Sequence, residues 1–249
     1  MIRIFSMQEF FDSTRDNFIS TFLVEDRWQQ LLSGLGITLL ITFFAVIIGI
    51  ILGCLIAIVR STYETNVKTK KCLTFGDYII KVLNVICKIY LTIIRGTPVV
   101  VQLMIMYFII FANSRDSILA AILSFGINSG AYVAEIIRSG IMSIDKGQFE
   151  ASRSLGFNYK DTMIHIILPQ AFKNVLPALG NEFIVLLKET SVAGYVAVQD
   201  LTYVANLIRS RTYEAFFPLI TTAVIYLVLV MILTFFLGKL ERRLRNSDH

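Results

Sequence analysis

Residues 150–169, EASRSLGFNYKDTMIHIILP, form the longest polar interval in the apolar second half of the chain. Their pattern predicts two short helices separated by a glycine. Gly156 can close the first helix, because a residue without a Cβ atom adopts the left-handed conformation at little cost. Asn158 is a favourable N-cap for the second helix. We expect that helix to end at Leu168 and Pro169, since the residue before a proline avoids the α conformation.

The second of these helices is predicted to be amphipathic. Asp161 lies three residues after Asn158, as in a capping box. One face of the helix carries an apolar stripe, made of Tyr159, Met163, Ile166 and Ile167. A compact helix pair of this kind between apolar segments predicts a surface that a cytosolic partner grips. We expect His165 to be a packed or interfacial residue, not a proton relay.

The composition indicates a membrane protein. The chain has 249 residues, of which 55% are hydrophobic and 16% are charged, whereas about a quarter of the residues in soluble domains are charged. The mean hydropathy is +0.69. The net charge of +5 comes from basic residues beside the apolar runs, which favours a membrane surface over nucleic acid as the partner. Cys54, Cys72 and Cys87 have no paired spacing, so neither a disulfide framework nor a zinc site is expected.

The apolar runs predict an all-α integral membrane protein with five transmembrane helices, since about 20 apolar residues cross a bilayer. The expected spans are residues 35–59, 89–112, 118–142, 176–198 and 215–237. The expected domains are an interfacial N-terminal segment (1–31), a transmembrane domain (32–245) that contains the cytosolic loop 143–169 between spans three and four, and a tail (246–249). Residues 77–95 read as an amphipathic helix that leads into the second span, with a bend at Gly96 and Pro98.

Basic residues orient this arrangement. Most of the lysines and arginines follow the first, third and fifth predicted spans. Because cytoplasmic segments carry the excess of Lys and Arg, we expect the N-terminus outside and the C-terminus in the cytosol. This orientation places residues 143–169 in the cytosol.

Several motifs resemble those of permease subunits of ABC importers. Glu150-Ala151 with Gly156, followed by Ile166, Leu168 and Pro169, resembles the EAA loop of these permeases. Further matches are Arg95-Gly96-Thr97-Pro98 with Gln102, Asn128-Ser129-Gly130-Ala131-Tyr132 with Glu135 and Arg138, and Lys188-Glu189-Thr190-Ser191. Together they resemble the polar amino acid uptake branch, over roughly residues 32–245. Ser152 departs from the motif, which usually has a second alanine there.

The resemblance implies a transport subunit of a bacterial cell membrane importer, with no catalytic or metal site of its own. Its implied partners are two cytosolic ABC ATPase subunits, a second permease subunit (identical or paralogous) and an extracytoplasmic amino acid-binding protein. Glu150 and Gly156 would be hallmark residues of the ATPase-coupling loop. The sequence has no Gly-x-x-x-x-Gly-Lys-Ser/Thr motif, so ATP and Mg²⁺ are expected in the partner ATPases, with no cofactor bound by this chain.

Polar residues inside the predicted spans mark a candidate pathway, because a charge at the bilayer centre costs about 2.5–3.5 kcal/mol on insertion scales. Glu182 and Glu189 are seven residues apart and project from one helix face. The other pathway candidates are Gln102, Asn128, Ser129, Thr190 and Ser191. The alternative for this face is internal neutralisation, with Lys188 paired to a glutamate or a glutamate paired to Arg95.

Other polar residues are expected to have structural or gating roles. Arg95 and Pro98 belong to the predicted hinge, and Glu135 can pair with Arg138 at a spacing of three residues. Two acidic pathway residues favour cationic or broadly polar amino acids, with glutamine, cystine and histidine left open. The competing interpretation is an ion-coupled secondary carrier or channel, in which Glu182 and Glu189 supply the coupling-ion site.

Overall fold

A computed structural model describes residues 7–68, 70, 72–114 and 116–245, and every regular element within these ranges is helical. The α-helices are α1 (Met7–Phe22), α2 (Arg27–Thr62), α3 (Phe75–Gly96), α4 (Val99–Ile105), α5 (Ser117–Met142), α6 (Lys146–Ser154), α7 (Tyr159–Thr162), α8 (Leu168–Glu189), α9 (Leu201–Thr212) and α10 (Phe216–Arg245). Three π-helical segments occur, at Tyr63–Val67, Met106–Ile110 and Met163–Ile167. Two 3₁₀ segments occur, at Val24–Asp26 and Thr190–Val196.

Three of the described helices are long and apolar enough to cross a membrane, namely Val24–Val67, Ser117–Met142 and Phe216–Leu244. The pair Phe75–Gly96 and Val99–Ile110 counts as a fourth crossing if it is one broken span. The described part of the chain is therefore all-helical and has several helices of the length and composition of membrane spans, whereas the expected total of five crossings stays a prediction. Residues 1–6 and 246–249, at the ends of the predicted terminal segments, lie outside the described residues.

The predicted bend at Gly96 and Pro98 is present and is sharper than a kink. α3 and α4 meet at 107°, so the expected single span 89–112 is not one continuous helix. Thr97 is extended, with φ −123° and ψ 145°, as expected for a residue before proline. Gln102 of α4 stabilises this bend, because its Nε2 donates to the carbonyl of Ile94 in α3 at 2.8 Å and to the carbonyl of Thr97 at 3.1 Å.

α2 and α5 form the central pair of the bundle. Glycines bring their backbones together: a Cβ atom on Gly49 would lie 2.9 Å from Ser129 Oγ, and one on Gly126 would lie 2.8 Å from Ile48 Cβ. Small residues around Asn128 thus permit a close approach of the two helices. α3 and α8 pack against this pair, and the core it forms joins Ile41, Ala45, Leu103, Phe125 and Leu186.

The chain between α8 and α10 differs from its prediction. The expected fourth span 176–198 ends as an α-helix at Glu189 and continues as the 3₁₀ segment, after which Ala197 is left-handed with φ 59°. Residues 199–213, which the sequence places in a loop between the fourth and fifth predicted spans, are largely the helix α9. Its apolar residues recur at helical spacing and are buried against α2: Leu201, Val204, Ala205 and Ile208. This periodicity is the helix signal that the loop interpretation overlooked.

Asp200 starts α9 and fixes it on α2. Its carboxylate accepts from the backbone N–H groups of Thr202 and Tyr203 at 3.0 and 3.1 Å. The N–H of Leu201, the residue after Asp200, donates to Thr38 Oγ1 of α2. Asp200 has no exposed surface. Burial raises the pKa of its carboxyl to about 6, although the hydrogen bonds from Thr202 and Tyr203 act in the opposite direction.

Candidate functional site

The helix pair α6–α7 has the predicted turn. Gly156 lies at φ 86°, the left-handed region that favours glycine. Its N–H donates to the Arg153 carbonyl, and the N–H of Phe157 donates to the Ser152 carbonyl, both at 3.0 Å. Asn158 caps α7, since its Oδ1 accepts from the Asp161 N–H at 2.9 Å. The glycine closure and the asparagine cap are therefore confirmed.

The predicted helix end at Leu168 and Pro169 is wrong. α7 continues through the π-helical segment Met163–Ile167 into α8, and Leu168 is α-helical with φ −61° and ψ −41°. The π-helical turn changes the register of the backbone hydrogen bonds. Pro169 therefore lies in the first turn of α8, where a missing N–H costs little.

The apolar stripe packs on the rest of the chain. Ile167 is fully buried with Ile141 and Ala171, and Met163 and Ile166 pack against this cluster. The Tyr159 hydroxyl lies 2.9 Å from Thr65 Oγ1 in the π-helical segment after α2. An amphipathic pattern shows which face is apolar but not what covers it, and here the stripe fastens the helix pair to the bundle.

The exposed surface of the helix pair is on its other side. Leu155 is 77% exposed at the connection between α6 and α7, and Ile164 is 46% exposed. Glu150, Ala151, Gly156, Leu168 and Pro169 of the predicted coupling loop are also exposed, whereas Ile166 is half-buried. Ser152, where the motif usually has alanine, is buried and donates to the Gln148 carbonyl. Because the sequence predicts a coupling loop here, we call the surface of Glu150, Ala151, Leu155, Phe157 and Ile164 the docking surface, a name that refers to this prediction.

Four of the predicted pathway residues form two hydrogen-bonded pairs inside the bundle. Ser129 Oγ of α5 donates to Glu182 Oε1 of α8 at 2.9 Å. Asn128 Nδ2 donates to Gln102 Oε1 of α4 at 3.0 Å. These two bonds join α4, α5 and α8 through neighbouring residues of α5. We call Gln102, Asn128, Ser129 and Glu182 the polar cluster.

The other pathway candidates lie at the end of α8. Thr190 is buried, and its hydroxyl donates to the Leu187 carbonyl at 2.8 Å. Ser191 and Glu189 are half-buried, and Lys188 is exposed. Among the described side chains, Lys188 has no carboxylate within 4.0 Å. Ion pairing of Lys188 with Glu182 or Glu189, our alternative for this face, is therefore not observed.

Glu135 and Arg138 form the predicted ion pair. The sequence interpretation missed its extension through Glu64, whose carboxylate lies 3.4 Å from Arg138 Nη1 and 3.2 Å from Arg60 Nη2. The result is a chain of alternating charges between α2 and α5. The spacing of Arg60 and Glu64, four residues apart, was the available signal for part of it. Arg95 is not in this chain and lies over the ring of Tyr132, at 5.7 Å.

Comparisons with known proteins agree with this architecture. Residues 77–246 match the family described as binding-protein-dependent transport system inner membrane component. The chain is 41% identical to the arginine transport system permease protein ArtQ of Bacillus subtilis over 88% of this chain and 94% of that protein. It is 36% identical to the glutamine transport system permease protein GlnP of Escherichia coli over 86% of this chain and 93% of that protein.

Two solved structures have a similar fold. A crystal structure of an amino acid ABC transporter with histidines matches with a TM-score of 0.77 and 40% identity, over 89% of this chain and 98% of that chain. The MetNI methionine ABC transporter in an inward-facing conformation matches with a TM-score of 0.72 at 20% identity, over 87% of this chain and 96% of that chain. The second likeness concerns the fold alone. The chain belongs to the family of inner membrane components of binding-protein-dependent transport systems.

Proposed function

We propose that this chain is the permease subunit of an ATP-driven ABC importer for polar amino acids. The observation that carries the proposal is the 41% identity, over 88% of the chain, to a permease named for arginine transport. A second relative of similar coverage is named for glutamine transport. Arginine and glutamine are therefore the first substrates to test. The rival, an ion-coupled secondary carrier or channel, is not favoured, because the relatives are transport-system permeases over nearly their whole length.

In the proposed assembly, the chain itself hydrolyses nothing and binds no cofactor. Two cytosolic ABC ATPase subunits bind ATP and Mg²⁺, and an extracytoplasmic binding protein delivers the amino acid. A second permease subunit, a copy of this chain or a paralogue, completes the pathway. The family description, which makes transport dependent on a binding protein, supports the binding-protein partner.

We further propose five crossings of a bacterial inner membrane, with the N-terminus outside and the C-terminus in the cytosol. The distribution of lysine and arginine supports this orientation. α8 would be the fourth crossing, which its three charged residues between positions 182 and 189 make less apolar than α2 or α10. With this orientation the docking surface faces the ATPase subunits.

The polar cluster, with Glu189, Thr190 and Ser191, would line the pathway. Polar groups at membrane depth are stable when they bond one another or face water. The bonds from Ser129 to Glu182 and from Asn128 to Gln102 satisfy these groups in the present conformation. An amino acid would replace such bonds with bonds to its amino and carboxylate groups. Arg95, Pro98, Glu135, Arg138 and Lys188 would have structural or gating roles.

The substitution Leu155→Asp tests the docking surface. We expect co-purification of the ATPase subunits and ATP-driven uptake to fall by at least about tenfold, since an anchor in the centre of an interface contributes 2 kcal/mol or more. Leu155 is 77% exposed, so the change removes little packing within the chain. Pull-down of the ATPase and uptake of labelled arginine measure the two effects.

Tyr213→Asp is the matched control, because Tyr213 is 96% exposed on the predicted outer side of the membrane. It introduces the same charge at another exposed apolar position and should leave ATPase binding unchanged. Full ATPase binding by the Leu155 variant would refute the assignment of the docking surface.

A further inference from the structure

α3 has three faces of different character. An exposed apolar face is typical of a helix surface in contact with lipid, and its members are Ile79, Val82, Ile86, Ile89 and Ile93. A second face is buried against the bundle and contains Asp77, Asn84 and Leu91. A third face, exposed and mostly polar, contains Lys81, Lys88, Thr92 and Arg95 at spacings of seven, four and three residues, with the exposed Val85 between the two lysines. Cations do not face hydrocarbon without a large cost, so the third face adjoins water or polar ligands.

A cleft lies along the C-terminal half of this face, next to the corner between α3 and α4. It is a shallow cleft, open on one side, of about 500 Å³, and is lined mainly by Arg60, Lys88, Thr92, Arg95, Gly96 and Glu135. Sites for small ligands usually measure about 300–1,000 Å³. The cleft therefore has the volume to hold a solute.

The cleft has an excess of positive charge. Glu135 is neutralised by Arg138, and Arg60 is neutralised by Glu64. In the part of the chain that the structure describes, neither Lys88 nor Arg95 has a carboxylate within 4.0 Å. Two cations thus remain available to a ligand. The expected ligand is therefore an anion.

The cleft and the polar cluster involve adjacent residues of α3. Arg95 follows Ile94, whose carbonyl accepts from Gln102 Nε2 at 2.8 Å. The same Gln102 side chain accepts from Asn128 at 3.0 Å. The α3 corner therefore belongs both to the cleft, through Arg95 and Gly96, and to the hydrogen bonds of the polar cluster, through the Ile94 carbonyl.

We infer that this cleft is a carboxylate-binding station in the transport pathway, in which Lys88 and Arg95 bind the carboxylate of the amino acid, so that Arg95 has a binding role in addition to its structural role at the bend. The inference rests on the proposed function and adds the chemical group that is recognised. A phospholipid phosphate is the other anion with this chemistry. The vesicle composition and the added amino acids in the test below separate these two sources of the anion.

The test measures the potential in the cleft directly. Thr92→Cys is introduced after Cys54, Cys72 and Cys87 have been replaced by serine. The purified permease in phosphatidylcholine vesicles then reacts with an anionic and a cationic methanethiosulfonate of similar size. We expect the anionic reagent to react about tenfold faster than the cationic one, because two cations near the thiol attract it. Lys88→Gln with Arg95→Gln should remove this preference.

Ile93→Cys is the matched control, since Ile93 lies next to Thr92 and is 54% exposed on the apolar face. We expect neither charged reagent to label it. Arginine and glutamine should slow the labelling of Thr92→Cys, whereas the amines that lack their carboxylates should not.

Three results would overturn the inference: equal rates for the two reagents, equal protection by the amines, or loss of labelling caused by phosphatidylglycerol in the vesicles instead of by amino acid. The last would assign the cleft to a lipid headgroup. None of these measurements needs the ATPase or the binding protein. If ATP-driven uptake occurs and the labelling shows no charge preference, only the carboxylate station is refuted. If uptake does not depend on ATP, the proposed function fails whatever the labelling shows.

Discussion

Gly156→Pro is expected to reduce ATP-driven uptake by more than about tenfold while the chain still inserts into the membrane. Proline fixes φ near −65°, whereas Gly156 lies at φ 86°. Proline also removes the N–H that donates to the Arg153 carbonyl. The angle between α6 and α7 must therefore change, and with it the position of the docking surface. Uptake by reconstituted vesicles and the ATPase rate of the same preparation measure the effect.

Gly156→Asn is the control for this substitution. Asparagine tolerates the left-handed conformation better than other residues with a Cβ atom, and no heavy atom lies within 4 Å of the Cβ position. We expect this variant to retain most of the uptake. Normal uptake by the proline variant would show that the geometry of the helix pair is not needed for coupling.

Gly53→Leu is expected to destabilise the bundle by about 1–3 kcal/mol or more, the usual cost of overpacking a core. A Cβ atom on Gly53 would lie 2.7 Å from Val133 Cβ and 2.9 Å from the backbone nitrogen of Ala134. Since a backbone atom cannot move aside as a side chain does, α2 and α5 must separate. Thermal unfolding of the detergent-solubilised protein should show a midpoint several degrees lower.

Gly36→Leu is the matched control within α2, because no heavy atom lies within 4 Å of its Cβ position. It makes the same change in a membrane helix and should leave the unfolding midpoint close to that of the unmodified protein. Equal midpoints for the Gly53 and Gly36 variants would contradict the close approach of α2 and α5.

The sequence was informative wherever a local rule determines structure. Gly156 and Asn158 adopt the conformations that their residue types predict, and the spacing of Glu135 and Arg138 predicted their ion pair. Pro98 was predicted to bend the chain, and it does. In each case the energetic preference acts within a few residues, so it can be read without knowledge of the packing.

The predictions failed where packing between distant segments decides the outcome. The stripe that contains Ile167 was predicted as an apolar face, but its packing on Ile141 of the same chain was not predicted. Pro169 was expected to end a helix, but the π-helical segment before it lets the helix continue. The hydrogen bond between Tyr159 and Thr65 joins residues 94 positions apart in the sequence. No local sequence pattern predicts such a contact.

The polar cluster was predicted as a set of residues but not as a set of bonds. Hydropathy and charge identified Gln102, Asn128, Ser129 and Glu182 as costly at membrane depth. That Ser129 binds Glu182, and Asn128 binds Gln102, depends on how α4, α5 and α8 are arranged. The corner between α3 and α4 turns Gln102 towards Asn128, and the sequence indicated the corner but not its 107° angle.

The central claim is that a separate ATPase, acting through the helix pair, drives amino acid movement through this chain. Uptake of labelled arginine and glutamine into proteoliposomes tests it most directly, with the ATPase subunits, the binding protein and ATP omitted one at a time. We predict uptake only when all three are present with the permease. Accumulation by the permease alone, driven by an ion gradient, would contradict the account.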